Sequence, residues 1–259
     1  MKEFEQQPNQ SLAKAILVLE SFTSEQPEWG VRELSRKLEI NATTIYRLVA
    51  TFQGAGYLEQ NVETQKYRLG PRVIKLASVY THVNPITTWA RRVFERYRDS
   101  FEFNFYLGQL SGFEVAYLAV LDGHGPIKVV VEPGGSTSLH ATALGKVLLA
   151  FQDQSYFEAY LAHDKLQKHT DRTIVDPGLL RQQLRQIRVQ QYAINDGEFY
   201  DDVGAVGVPL FDQHSGVKLC VSLAYPRHII MDGRRSVDEL VMLARQIVAD
   251  IEPYVHYSY

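Results

Sequence analysis

Cysteine is almost absent: Cys220 stands alone in 259 residues. That excludes an intrachain disulfide framework and leaves no cysteine pair for a structural zinc site, so a reducing compartment is expected. Long apolar runs are missing too, because charges interrupt every hydrophobic stretch well short of the ~20 residues that span a bilayer. The start, MKEFEQQPNQ, is polar and acidic rather than basic and then apolar, unlike a secretory leader. A cytoplasmic location with no membrane partner is the expectation. Positive charge is also scarce, 27 Lys and Arg against 30 Asp and Glu, a balance that does not announce a nucleic-acid partner.

Signatures of catalysis are lacking as well. There is no GxSxG, no HExxH and no cluster of metal-ligand types, and His124, His140, His163, His169 and His214 are scattered. Asp201 and Asp202 are adjacent, so on a strand they would point to opposite faces. The acids of DGEFYDD read as a solvated loop, and Cys220 as core. Gly145-Lys146 is not a phosphate loop, since Leu139 to Thr142 contain no glycine and Val147 follows where a hydroxyl is needed. No catalytic residue, metal site or cofactor is expected.

What is present is unevenly spread. Residues 1–70 hold 8 Lys and Arg against 9 Asp and Glu, residues 71–98 hold 6 against 1, and residues 99–259 hold 13 against 20. A C-terminal part this acidic will not sit on phosphates, so any DNA contact belongs to the first hundred residues. With 45% apolar residues the chain has ample material for two cores.

The segment SLAKAILVLESFTS places Leu12, Ala15, Ile16, Leu19 and Phe22 at helical spacing behind Ser11, a suitable N-cap. VRELSRKLEI makes a second, short helix with Val31, Leu34 and Leu38 inward. Asn41 caps a third, ATTIYRLVATFQGAG, which keeps Ile45, Leu48, Val49 and Phe52 inward and stops at Gly54 and Gly56. GYLEQNVETQKYRLG then alternates on both sides of a polar tip, as a hairpin does. Three helices and a hairpin, with the tight turn LEIN between the second and third helices, have the order of a winged helix-turn-helix.

On the third helix Ala42, Thr43, Thr44, Tyr46 and Arg47 are left outward. Small residues, methyls, hydroxyls and one guanidinium suit a major groove, and no carboxylate occurs from Asn41 to Tyr57 to repel phosphate. An ordinary surface helix could carry the same residues. The hairpin residues Gln65 and Lys66 and the cations Lys14, Arg32, Arg36 and Lys37 favour DNA.

After Pro71, VIKLASVYTHV and ITTWARRVFERYRDSF read as basic connecting helices. FEFNFYLGQL, FEVAYLAVL, PIKVVVEPGG, AVGVPLFD and VKLCVSLAYP follow as strands. SLHATALGKVLLAF, LLRQQLRQIRVQQYA and VDELVMLARQIVADIEPYV follow as helices. Strands joined by tight turns, with helices segregated around them, predict an antiparallel α+β sheet. In HATALGK the accessible N–H groups of a helix start at Ala141, Thr142 and Ala143 could receive a carboxylate, or simply pack on the sheet.

The order SLAKAILVLE, VRELSRKLEINATTIYRLVATFQGAGYLEQ and KYRLGPRVIKLA resembles the isocitrate lyase regulator (IclR) family of bacterial transcription factors. Thr44, Arg47 and Leu48 match the family's helix motif, and Tyr67, Leu69 and Gly70 match its wing. The likeness resumes at SLHATALGKVLLAF and at GVPLFDQHSGVKLCVSLAYP. The resemblance implies a winged helix-turn-helix over 1–70, a linker helix over 71–84 and a GAF-like effector-binding and oligomerisation domain with a curved antiparallel sheet over 85–259. It also implies a regulator, not an enzyme, that binds double-stranded operator DNA as a homodimer or homotetramer.

Effector positions carried over by the resemblance are Ala143, Leu144, Asn195, Asp196, Glu198, Ala205, Ser222 and Ala224, with Thr142 beside them at the helix start. Family members that bind small oxo-acids usually show an aspartate near Asn195 and a cysteine near Ala205. Their replacement, together with Phe199, Tyr200 and the aromatic strand FEFNFYLG, points to an organic acid or aromatic metabolite: an aromatic or otherwise partly apolar carboxylate or neutral ligand rather than a two- or three-carbon acid. Phe103 and Phe105 themselves are expected to pack the sheet. The alternative is a metabolite-binding enzyme with an incidental N-terminal bundle.

Overall fold

The computed structural model describes residues 9–98, 103–125, 131, 133–163, 165–213 and 216–255. They form two compact units that divide between Val83 and Asn84.

In the N-terminal unit, α1 (Gln10–Glu20) is capped by Asn9 rather than Ser11, the asparagine side chain accepting from the N–H groups of Ser11 and Leu12. Its amide oxygen lies where the first turn's orphan donors point, a place Ser11 has already passed. The buried face is displaced from the expected one as well. Val18 and Phe22 are buried and Leu19 is half-buried, while Leu12, Ile16 and Leu17 stand exposed. A helix this rich in aliphatic residues carries two overlapping apolar faces, and spacing alone does not choose between them.

α2 (Val31–Leu38) buries Leu34, and its first turn is closed by the Glu33 carboxylate accepting from Gly30 N–H at 2.8 Å. Glu39, in the left-handed conformation at φ 55°, makes the sharp turn into α3 (Ala42–Gly54). Asn41 caps α3 by accepting from Thr43 N–H at 2.8 Å, and Ile45 and Val49 are buried against the other helices. β1 (Leu58–Gln60) and β2 (Tyr67–Leu69) pair antiparallel, and Trp29 adds a bridge by exchanging hydrogen bonds of 2.9 and 2.8 Å with Tyr67. α4 (Arg72–Val83) buries no residue of its own and leaves Ile74, Leu76, Val79, Tyr80 and Val83 exposed.

The C-terminal unit comprises α5 (Ile86–Arg98), β3 (Asn104–Ser111), β4 (Glu114–Leu121), β5 (Ser136–Ser138), α6 (Ala143–Ala150), α7 (Gln154–His163), α8 (Pro177–Gln190), β6 (Ala193–Asp196), β7 (Val203–Phe211), β8 (Val217–Pro226), α9 (His228–Met231) and α10 (Val237–Val255). Its strands form one sheet in the order β5-β4-β3-β8-β7-β6, with every neighbouring pair antiparallel, so the class is α+β. Strand parity divides two cores. Phe105, Leu107, Val206, Val208, Leu219, Val221 and Leu223 face α5 and α10, whereas Tyr106, Ala205, Cys220 and Ala224 face α6, α7 and α8. Phe103 joins Phe105 in the first of these cores, as sheet packing.

One helix boundary needs correction. The helix read through LLRQQLRQIRVQQYA ends at Gln190, because Gln191 takes the left-handed conformation (φ 59°) and Ala193 opens β6. A glutamine there hides the stop that a glycine would have announced. The strand expected at PIKVVVEPGG falls mostly on residues outside those described; beside β4 lies Ser136–Ser138, reached after Gly134 at φ 90°. α7 was not foreseen, since only Phe157 and Tyr160 of its ten residues are buried. Between AVGVPLFD and VKLCVSLAYP, His214 and Ser215 are not among the described residues.

Candidate DNA-facing surface and effector site

The N-terminal unit presents an exposed polar face on α3. Ala42, Thr43, Tyr46 and Arg47 are exposed, Thr44 is half-buried beside them, and Tyr46 is 59% accessible. The core packing of Ile45 and Val49 determines this, since Tyr46 and Arg47 between them must then point away. Arg32, Arg36 and Lys37 are exposed on α2, with the Lys37 ammonium 4.6 Å from the Trp29 ring centroid, and Lys14 is half-buried on α1. Lys66 donates to Glu33 at 2.9 Å, tying the hairpin to α2. Gln65, left-handed at φ 57°, receives a hydrogen bond from Gln60 at the hairpin tip.

In the C-terminal unit the strand register assembles residues far apart in sequence. Asn195, Ala205, Ala224 and Asn104 form one cross-strand row, and Ala193, Gly207, Ser222 and Tyr106 form the next. The start of α6 lies on these rows. A methyl added at Gly207 would stand 2.8 Å from the Ala143 carbonyl oxygen, so only glycine lets the helix approach this closely. The expected positions Ala143, Leu144, Asn195, Ala205, Ser222 and Ala224 are thereby brought together, and all are buried. Tyr106 and Tyr117 close one side, their ring centroids 5.5 Å apart. Burial pushes the Tyr117 hydroxyl up to about 12 and raises that of Tyr106 further, so both remain neutral donors.

Several expected contact groups are already engaged. Thr142 caps α6: its hydroxyl donates to the Ser138 carbonyl at 2.8 Å and accepts from Gly145 N–H at 3.0 Å. Ser222 donates to the Val206 carbonyl at 2.7 Å. Asn195 uses both ends of its amide, donating to the Ala141 carbonyl at 2.6 Å and accepting from Glu198 N–H at 2.9 Å. Asp196 turns outward to Arg227 and Arg172, which donate at 2.5 and 3.4 Å. Gly197, at φ 78°, reverses the chain so that Asp196 and Glu198 point in different directions.

Glu198 is buried against Lys146, which donates to its Oε1 and to the Ile194 carbonyl at 2.6 Å. Lys146 and Glu198 are the only Lys, Arg, Asp or Glu residues buried among those described. Burial lowers the Lys146 pKa, against the attraction of Glu198, and raises that of Glu198, against the attraction of Lys146. The backbone of Glu198 is held on both sides, because Thr173 donates to its carbonyl at 2.6 Å and Asn195 receives its N–H. Thr170 likewise donates to Gly197 at 2.7 Å. Lys146, Thr170, Thr173, Arg172, Arg227, Tyr106 and Tyr117 were not singled out from the sequence as parts of this site. Only the parity of β3 could have pointed to Tyr106.

A helix-turn-helix with an exposed polar face in one unit, and a sheet face lined by polar and small residues under a helix start in the other, define a ligand-responsive DNA-binding regulator. The profile of the IclR helix-turn-helix domain matches residues 11–62, and that described as bacterial transcriptional regulator IclR C-terminal matches residues 78–252. The chain belongs to the IclR family of bacterial transcriptional regulators. It is 27% identical over 223 residues to the HTH-type transcriptional regulator BhcR of Paracoccus denitrificans, spanning 85% of this chain and 80% of that one. A solved structure from Silicibacter sp. TM1040, described as an IclR transcriptional regulator, is 30% identical with a TM-score of 0.81, covering 93% of this chain and 96% of its own. An IclR homolog from Microbacterium hydrocarbonoxydans, solved in complex with 4-hydroxybenzoate, shares the fold at 23% identity and a TM-score of 0.78, over 95% of this chain and 98% of its own.

Proposed function

We propose that the protein binds double-stranded operator DNA through the exposed face of α3, with Ala42, Thr43, Thr44, Tyr46 and Arg47 toward the major groove and the β1–β2 hairpin, carrying Gln65 and Lys66, toward the backbone. The observation that carries this reading is the carboxylate-free surface of α3, displayed by a helix whose other side is fixed in the core. Lys14, Arg32, Arg36 and Lys37 add phosphate contacts. Two such units at a fixed separation match two half-sites, so the protein acts as a homodimer or homotetramer. The exposed apolar residues of α4 supply the seam: Ile74, Leu76, Val79, Tyr80 and Val83 would otherwise face water.

The effector site lies at the start of α6, lined by Thr142, Ala143, Leu144, Asn195, Asp196, Glu198, Ala205, Ser222 and Ala224. Its effector is an organic acid or aromatic metabolite, and the regulated genes form a metabolic operon. The aromatic walls Tyr106 and Tyr117 favour a ring or another partly apolar body. The protein is a cytoplasmic regulator and not an enzyme.

A mobility-shift titration against the DNA upstream of the protein's own gene tests the reading. A specific shift that is lost in Arg47→Ala, with the circular dichroism spectrum unchanged, is expected. Equal binding of unrelated DNA by both proteins would remove α3 from the interface.

A further inference from the structure

Glu198 presents an unusual arrangement. Its carboxylate is buried, Oε1 is taken by Lys146, and Oε2 makes no hydrogen bond of ordinary geometry among the described residues, although the Asp196 N–H still draws on the carboxyl group. Buried acceptors are nearly always satisfied, so an orphaned carboxylate oxygen calls for an occupant that donates. Lys146 holds the other carboxylate oxygen, which limits how far the Glu198 side chain can turn to find one. Its backbone N–H and carbonyl are both pinned, by Asn195 and Thr173, and the preceding turn is fixed by the left-handed Gly197 and the Thr170 hydroxyl. The oxygen is therefore held in place at the first turn of α6, beside the same residues that gather Ala205, Ala224 and Tyr106.

The surroundings say which kind of ligand fits. Lys146, the one fully buried Lys or Arg among the described residues, is occupied by Glu198 and the Ile194 carbonyl, so no interior cation is left for a carboxylate. The outer cations Arg172 and Arg227 are bound to Asp196. Asn195, Thr142 and Ser222 each already give one donor to a backbone carbonyl. A ligand made only of acceptors would find no side-chain cation and would bring more negative charge to Glu198. A ligand with a hydroxyl or amino group would fill the orphaned acceptance. Solvent-sized space reaches this part of the sheet: Ala205, Ala224 and Glu198 keep 9%, 7% and 6% of their surface accessible, while Val206 and Leu223 on the opposite face keep none. Oε2 itself is sealed, so a ligand that reaches it must displace a neighbouring side chain.

We propose that Glu198 is a specificity-determining residue that accepts a hydrogen bond from the effector, and that the effector is accordingly a hydroxy or amino acid derivative rather than a plain carboxylic or oxo-acid. This rests on the effector site set out above. Any acid group it carries meets the N–H groups at the start of α6 and not a side-chain cation.

Matched probes test it by calorimetry on the full chain: 4-hydroxybenzoate against 4-fluorobenzoate, 4-aminobenzoate against 4-methylbenzoate, and 3-hydroxybutyrate against butyrate. The donor-bearing member of whichever pair binds should be tighter by about ten-fold or more, the usual discrimination when a buried polar group is left unmatched. The double variant Lys146→Met/Glu198→Leu, which removes the ion pair without leaving a lone charge, should bind both members within about three-fold of each other, on the scale of a weak residual contact. Urea unfolding followed by Trp89 emission, in a Trp29→Phe background, reports that the C-terminal unit of this variant has folded. Equal binding of the two members by the unaltered protein, or a discrimination that survives in the double variant, overturns the proposal and leaves Oε2 to a structural water only. Failure of every probe to bind a DNA-competent protein would overturn the effector-site reading itself, and the proposal with it.

Discussion

Replacing Lys146 by methionine should be among the most damaging single changes in the C-terminal unit. The side chain is fully buried and neutralises Glu198, which is itself buried and is offset by no second cation among the described residues. Methionine fills a similar volume, so the loss is electrostatic and not a cavity. Removing one partner of a buried pair costs about 3–5 kcal/mol, because the other charge is left without compensation. The cost depends on pH, with a definite sign. Burial already raises the Glu198 pKa, and Lys146 is what opposes the rise. Without it the folded-state pKa goes higher still, while the unfolded value stays ordinary. Stability is then fully present below the ordinary carboxylate pKa and is lost as pH rises through the raised one, at up to about 1.4 kcal/mol per pH unit. The penalty should be largest at pH 7 to 8 and shrink toward pH 5. Two tryptophans make the assay specific: Trp29 lies in the N-terminal unit and Trp89 in α5. In a Trp29→Phe background, urea unfolding followed by Trp89 emission reports the C-terminal unit alone. Addition of Glu198→Leu should restore most of the loss and flatten the pH dependence. A penalty below about 1 kcal/mol, or one independent of pH, would refute the idea that the pair is held charged against its burial.

Three further outcomes follow from local geometry. Asn41→Ala removes the α3 cap and should cost about 1 kcal/mol of N-terminal stability, read in a Trp89→Phe background, whereas Asn41→Ser should cost little. Gly207→Val places a side chain against the Ala143 carbonyl; overpacking of about 1–3 kcal/mol is expected, and probe binding should weaken more than unfolding stability does. Arg227→Gln loosens Asp196 without touching the core, so hydrogen exchange in residues 196–202 should accelerate while β7 stays protected. Unchanged exchange there would mean that the arginine merely decorates the surface.

Much of the fold was legible because certain residues impose their own geometry. Asn41 announces the start of α3, Gly54 and Gly56 its end, and the alternation around NVETQ the hairpin. Elements failed to show where tertiary contacts decide. Gln191 stops α8 in a conformation that glycine usually supplies, and α1 turns Val18 inward although its spacing also fits Leu12 and Ile16. The effector positions were legible as a set, but their roles were not. Asn195, Asp196 and Glu198 look alike as a polar run, yet one braces Ala141, one faces arginines 24 and 31 positions away, and one is buried on Lys146. Sequence separation hides such partners, and the left-handed Gly197 that sorts the two carboxylates is visible only in three dimensions.

The regulatory claim is tested most directly by the operator affinity measured with and without a probe that stabilises the C-terminal unit. Fluorescence anisotropy of labelled upstream DNA, at fixed salt, should show a change of about five-fold or more at saturating probe, and the DNA should alter probe affinity by the same factor. Tight binding of both, each indifferent to the other, would contradict it.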